Sequence, residues 1–301
     1  MKKWFWLLPL FAVVLVAVRP SLGCICIPRD NPQNPQAPDI SMPEQRAFLY
    51  ARDNVEHMIL SVQYNGAPSE FAWVIPTETQ AKVDVQAGAP FHELWNATRV
   101  PVRAPRMATT AAPGAAAPEG VVVLERKEAG PYDIAILQAS SGGGLYRWLQ
   151  KNGFSTQPSV REALDSYVKK DWYFVAARIR PAKQQQAGAS LQNGTIAPLH
   201  ISYKASELTY PLRVTSGNPG TSEMELFVVT DDPVDHASFR RTSFTMTPRG
   251  KTGFKVLGEG ADNSGDYPTL RKLLPKGGKL SKYSATLSAA QRSRDLSFAS
   301  L

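Results

Sequence analysis

The sequence predicts an α+β protein: a mostly antiparallel β-sheet with a two-helix insertion between strands. Three observations carry this expectation. Short runs of β-branched and aromatic residues recur along the chain, separated by turn-forming dipeptides such as Asn65-Gly66 and Gly130-Pro131. The longest stretches with apolar residues at helical spacing stand side by side between residues 141 and 168, with strand patterns before and after them. Finally, 43% of the 301 residues are hydrophobic and 20% are charged, enough to fill one large core or two ordinary ones, which excludes wholesale disorder.

The first segment speaks of destination rather than fold. Lys2 and Lys3 precede an apolar run of 15 residues, Trp4 to Val18, followed by Arg19-Pro20-Ser21-Leu22-Gly23. This is the layout of a secretory signal peptide, and the run is shorter than the roughly 20 apolar residues of a membrane span. Ser21 and Gly23 are small residues at −3 and −1 of a cut between Gly23 and Cys24. The sequence therefore divides into a signal peptide (1–23), a Pro-rich leader (24–43), a β-rich N-terminal part (44–102), an Ala/Pro-rich linker or loop (103–120) and an α+β part of the same domain (121–301). The expected location is extracytoplasmic: periplasm, cell envelope or secreted.

Strands are expected at 46–52 and 55–64 around Asp53-Asn54. In the second, Met58, Leu60, Val62 and Tyr64 alternate with His57, Ser61 and Gln63, which turns His57 away from the apolar face and makes it exposed or rim-paired rather than metal-bound. Phe71 to Ile75 is continuously apolar, so this strand is expected to be covered on both faces and to end at Pro76. Phe91, Leu94 and Trp95 put one apolar stripe on a short helical turn. Residues 103–120 contain seven Ala, three Pro and two Gly and cannot repay their ordering entropy. Strands follow at 121–125 and 132–138. A helix then carries Leu145, Trp148 and Leu149 on one face and ends at Asn152-Gly153. Pro158-Ser159 opens the next, with Val160, Leu164, Tyr167 and Val168 as its buried stripe. Strands are expected at 172–179, 199–203, 208–214, 224–230 and 239–246, with 279–287 and 295–298 closing the sheet.

Candidate chemistry is sparse. Cys24-Ile25-Cys26 can be a strained disulfide, free or lipidated thiols, or a redox pair; in an exported protein, Cys24 and Cys26 are the residues to watch for a disulfide or lipidation. The triple glycine Gly142-Gly143-Gly144 lies outside any phosphate-loop frame and reads as a flexible hinge. Asp231, Asp232, Asp235 and His236 beside Pro233 read as an acidic turn, and 262–266 resembles a calcium loop in composition only. Asn96-Ala97-Thr98 and Asn193-Gly194-Thr195 match the glycosylation pattern. No catalytic, cofactor-binding or metal-ligating set is assigned.

The formal net charge is +8, and removal of residues 1–23 takes away Lys2, Lys3 and Arg19 and no acid, leaving +5. The surplus lies beyond residue 180 and includes Arg271, Lys272, Lys276, Lys279 and Lys282, read as a solvated basic face. Nucleic acid is not expected as a partner. Membrane contact is expected only through the signal peptide or a lipid on Cys24.

An ordered set of segments resembles the bacterial domain-of-unknown-function family 2330. It runs through Phe71-Ala72-Trp73-Val74-Ile75-Pro76, Phe91-His92-Glu93-Leu94, Val123-Leu124-Glu125-Arg126, Gly130-Pro131-Tyr132-Asp133-Ile134-Ala135, Trp148-Leu149 with Asn152-Gly153-Phe154, Trp172-Tyr173-Phe174-Val175-Ala176, Tyr210-Pro211-Leu212-Arg213 and Asp295-Leu296-Ser297-Phe298. The resemblance implies an exported or envelope-attached bacterial protein with no assigned activity, and hence no cofactor or catalytic residues to carry over. The expected role is a binding module that is not an enzyme, its partner an envelope protein, a glycan or a peptide. The alternative is an extracytoplasmic hydrolase or thiol-redox enzyme whose site forms only in the fold.

Overall fold

The computed structural model describes residues 41–65, 71–99, 121–152, 158–179, 197–217, 220–258 and 261–301. The chain opens with β1 (Ser41–Arg52), β2 (Val55–Asn65), β3 (Phe71–Thr77) and β4 (Lys82–Val85), followed by helix α1 (Pro90–Ala97). Next come β5 (Val121–Ala129) and β6 (Tyr132–Ala139), helices α2 (Gly142–Lys151) and α3 (Pro158–Val168), and β7 (Tyr173–Ile179). The remainder is β8 (Leu199–Lys204), β9 (Glu207–Tyr210), a 3-10 turn at Leu212–Thr215, β10 (Ser222–Thr230), β11 (Arg240–Arg249), β12 (Gly253–Gly258), β13 (Ala261–Asp266), helix α4 (Pro268–Leu273), β14 (Gly278–Leu287) and β15 (Leu296–Ser300).

Two sheets dominate. Nine strands run in the order β13-β12-β11-β14-β10-β1-β2-β8-β4, and four in the order β3-β7-β6-β5. Among the described residues every pairing is antiparallel except that of β1 with β10. Strands from before residue 100 pair with strands from after residue 120 in both sheets, β1 with β10, β2 with β8 and β3 with β7, so the Ala/Pro-rich stretch joins segments of shared sheets.

Alternation along the strands builds the layers. Ala47, Leu49, Met58, Leu60, Ile201 and Leu226 of the large sheet meet Trp73, Ile75, Ile134, Ile136 and Val175 of the small one in the central core. On the outer face of the small sheet, Val74, Leu137 and Phe174 lie under Leu145, Trp148, Leu149, Leu164 and Tyr167 of α2 and α3. On the outer face of the large sheet, Phe48, Ile59 and Phe227 are covered by Phe91 and Leu94 of α1 and Leu270 of α4. The continuous apolar run in β3 is thus covered on both faces, as its pattern requires.

Several expectations are corrected. β3 runs through Pro76, which pairs with Phe174; β3 is an edge strand, where alternate N–H groups point out of the sheet and a missing donor costs nothing. The other face of β2 is not a solvent face, because α1 and α4 cover Ile59. Trp95 is 37% exposed, and Phe91, Leu94 and Ala97 form the buried face of α1. The strand expected at 208–214 stops at Tyr210, since Pro211 cannot donate to a ladder and the chain turns into a 3-10 turn. β15 pairs with β9 as a separate two-stranded ribbon and does not close the large sheet. Residues 262–266 form strand β13, not a loop.

The triple glycine is not a hinge. Gly142–Gly144 form the first turn of α2, capped by the Ser141 hydroxyl, which accepts from the Gly144 N–H at 3.0 Å. A Cβ on Gly142 would stand 2.8 Å from the Asp165 Cα of α3, so the glycine permits close helix approach.

Candidate functional site

The site is built by a cross-strand arrangement on the outer face of the small sheet. In β5 the register shifts between Val123 and Glu125, a bulge at Leu124. Before it, Val121 and Val123 pack against the core under α2 and α3. After it the alternation is reset, and Arg126 and Glu128 take that side. Two rows then cross the sheet: Glu128, Asp133 and Arg178 in one, and Arg126, Ala135 and Ala176 in the next.

Helix α2 stops at Lys151, with Asn152 capping its end, and leaves these rows uncovered. The small side chains of Ala135 and Ala176 lower the floor. The result is a cleft of about 480 Å³, within the size range of small-ligand sites. On its floor the Arg178 guanidinium donates to Asp133 at 3.0 Å, with both side chains mostly buried. On its wall the Arg126 guanidinium lies 5.9 Å from the Trp148 ring centroid. Asn152 fixes the wall from below, its Nδ2 donating to the Trp148 carbonyl at 2.7 Å. Arg126, Arg178 and Lys127 line it against the two carboxylates Asp133 and Glu128, and the guanidiniums beside the indole face offer charge-assisted hydrogen bonds to an anionic ligand group.

None of the residues singled out in the sequence as candidate chemistry builds this cleft; Arg126, Asp133, Trp148, Asn152 and Ala176 entered there only as helix positions or as parts of the family-like segments. Gly23, Cys24 and Cys26 lie outside the described residues, as do Asn193 and the whole of the 103–120 stretch. Asp231, Asp232, Asp235 and His236 do not converge on one point. Asp235 accepts from the Arg241 Nε at 2.6 Å, Asp232 meets the Lys279 Nζ at 3.4 Å, and the His236 ring packs edge-on against Phe298 at 5.0 Å. The basic group divides as well: Lys282 pairs with Glu225 at 2.8 Å, while Arg271 lies over Phe254. Asn96 sits on α1, its Nδ2 3.2 Å from the His92 ring. Among the described residues no group of three or more His, Cys, Asp or Glu side chains is placed to hold a metal ion, and no helix is long and apolar enough to cross a membrane.

His57 is rim-paired. Its Nδ1 lies 3.0 Å from the His200 Nε2, and its ring stacks on Tyr50 with centroids 4.6 Å apart and planes 4° apart. Burial, with His200 and Arg52 nearby, pulls His57 down to about 4. Sequence reasoning missed this pair because the residues are 143 positions apart. The cleft was missed because it depends on a bulge and on strand register. The only local signal was the opposite charges of Asp133 and Arg178 on two expected strands.

Fold and cleft together define a two-sheet, mostly antiparallel α+β protein with a polar groove on its smaller sheet. The chain belongs to the bacterial domain-of-unknown-function family 2330, whose description is "uncharacterized protein conserved in bacteria" and whose model matches residues 34–291. No curated protein matches. Among solved structures, one titled "crystal structure of baculovirus P35" is similar at 10% sequence identity, covering 87% of this chain and 97% of that chain, with a TM-score of 0.39.

Proposed function

We propose that the protein is an exported bacterial envelope protein that acts as a binding module, its cleft between Arg126 and Arg178 holding an anionic group of an envelope protein, glycan or peptide. The observation that carries this is the cleft itself, where a guanidinium against Trp148 and an Arg–Asp pair stand on a rigid sheet. In this reading α2 and α3 are an insertion between strands that walls the groove. Residues 1–23 are removed as a signal peptide, and the Pro-rich leader tethers the folded part, ending where β1 begins at Ser41 rather than at residue 43. Membrane contact then comes only through the leader or a lipid on Cys24.

The binding test is a thermal-shift series on the mature protein with defined acidic peptides and anionic glycan fragments. One class should raise the melting temperature, and Arg126→Ala should abolish the rise while leaving the unliganded melting temperature within a degree or two. A rise that survives in both Arg126→Ala and Arg178→Ala would remove the cleft from the account. Export is tested separately by the intact mass of protein recovered from the envelope fraction, which should begin at Cys24.

A further inference from the structure

We propose that His57 and His200 form a binding site for a divalent transition-metal ion such as Zn²⁺ or Cu²⁺, completed by Asp84 and water. Three adjacent strands of the large sheet place these residues. Ile59 of β2 faces His200 of β8 in register, so His57 lies diagonally beside it on the same face, and Asp84 of β4 faces His200 directly.

The His57 Nδ1 and His200 Nε2 are 3.0 Å apart. Two nitrogens bound to one metal at the usual zinc–imidazole distance lie about 2.9 Å apart at a right angle and about 3.3 Å apart at the tetrahedral angle. The separation now spanned by one hydrogen bond is therefore the one a shared metal needs. Both rings sit on strands, and Tyr50 fixes the plane of His57 by stacking, so little ordering remains to be done on binding. Imidazole also suits Zn²⁺ and Cu²⁺ better than hard cations.

Protons balance without release. In the paired state one of the two facing nitrogens carries a hydrogen; on metal binding that ring moves the hydrogen to its other nitrogen, and both rings remain neutral donors. Asp84 is not yet in place as third ligand. Its side chain is 76% exposed and 3.7 Å from the Lys127 Nζ, and rotation would bring it toward His200. Arg52 lies near His57, and its charge weakens the site, but its guanidinium is held by the Leu273 carbonyl.

The test is Zn²⁺ titration of the untagged mature protein by calorimetry near neutral pH, with ¹H–¹⁵N spectra of the histidine rings. One equivalent should bind, and the His57 and His200 ring signals should shift before those of His92 and His236. His57→Gln and His200→Gln should each weaken binding by about tenfold or more, Asp84→Asn by less, and His92→Gln not at all. The ring spectra of the unaltered protein decide the matter even if a variant does not fold. If Zn²⁺ shifts neither His57 nor His200, or if binding disappears in a Cys24→Ser, Cys26→Ser variant, the site is not there.

Discussion

Glu56 is the residue least expected from its surroundings. It is fully buried on the core side of β2, facing away from His57. Its carboxyl accepts from the Thr209 N–H at 3.0 Å and from the Tyr203 hydroxyl on the facing strand, while Oε1 has no partner. Burial outweighs both hydrogen bonds and pushes the carboxyl up to about 8. A folded value above the ordinary one means the protonated acid is the form the fold accepts. Its contribution to stability is complete below about 4.5 and is lost as pH rises through about 8. Melting temperature should therefore fall across this window, and Glu56→Gln, which keeps the shape and removes the charge, should flatten the fall and exceed the unaltered protein at pH 9. An equal slope in both proteins would mean that Glu56 does not titrate as described. Arg292 is the opposite case, a buried cation satisfied by carbonyls. It donates to the carbonyls of Thr215, of Gly220 at 2.8 Å and of Ser288, and so ties the 3-10 turn at Leu212–Thr215 to the segment between β14 and β15.

At the scale of elements, α4 shows how a marginal helix is kept. It has six residues, too few to persist alone, and Tyr267 at its N-cap offers no side-chain hydrogen bond. The Glu93 carboxylate of α1 substitutes, accepting from the Thr269 N–H at 3.0 Å and the Leu270 N–H at 2.9 Å. Glu93→Ala should cost about 1–2 kcal/mol of stability in denaturant unfolding, with faster amide exchange confined to 268–274. A uniform change across the sheet would point to another cause. Elements with strong periodicity were legible in advance: β3, α2 and α3 carry their burial in their spacing. Strands β12 and β13 and helix α4 were not. Gly253, Gly258 and Gly265 with Asp262 and Asn263 make a poor strand sequence, and the pairing of β12 to β11 and of β13 to β12 supplies what local preference lacks. The candidate site was legible only in its ingredients. Arg126 lines the cleft because one inserted residue at Leu124 reverses the alternation, which no period-2 reading foresees.

At the scale of the molecule, β1 and β10 lie at the centre of the large sheet and within two layers of packing, while β13 and β4 form its edges. Native-state hydrogen exchange should rank β1, β10 and β2 as the slowest amides and β13 and β4 among the fastest. Slow exchange at β13 with fast exchange at β10 would contradict this layering. The parallel pairing of β1 with β10 has a further effect during synthesis. Residues 41–52 emerge early and can form a hairpin with β2, but their second neighbour, residues 222–230, is made only after most of the chain. Until then one long rim of the nascent sheet is open to any extended chain that meets it, which makes this protein's yield depend on what shields that rim while the ribosome finishes.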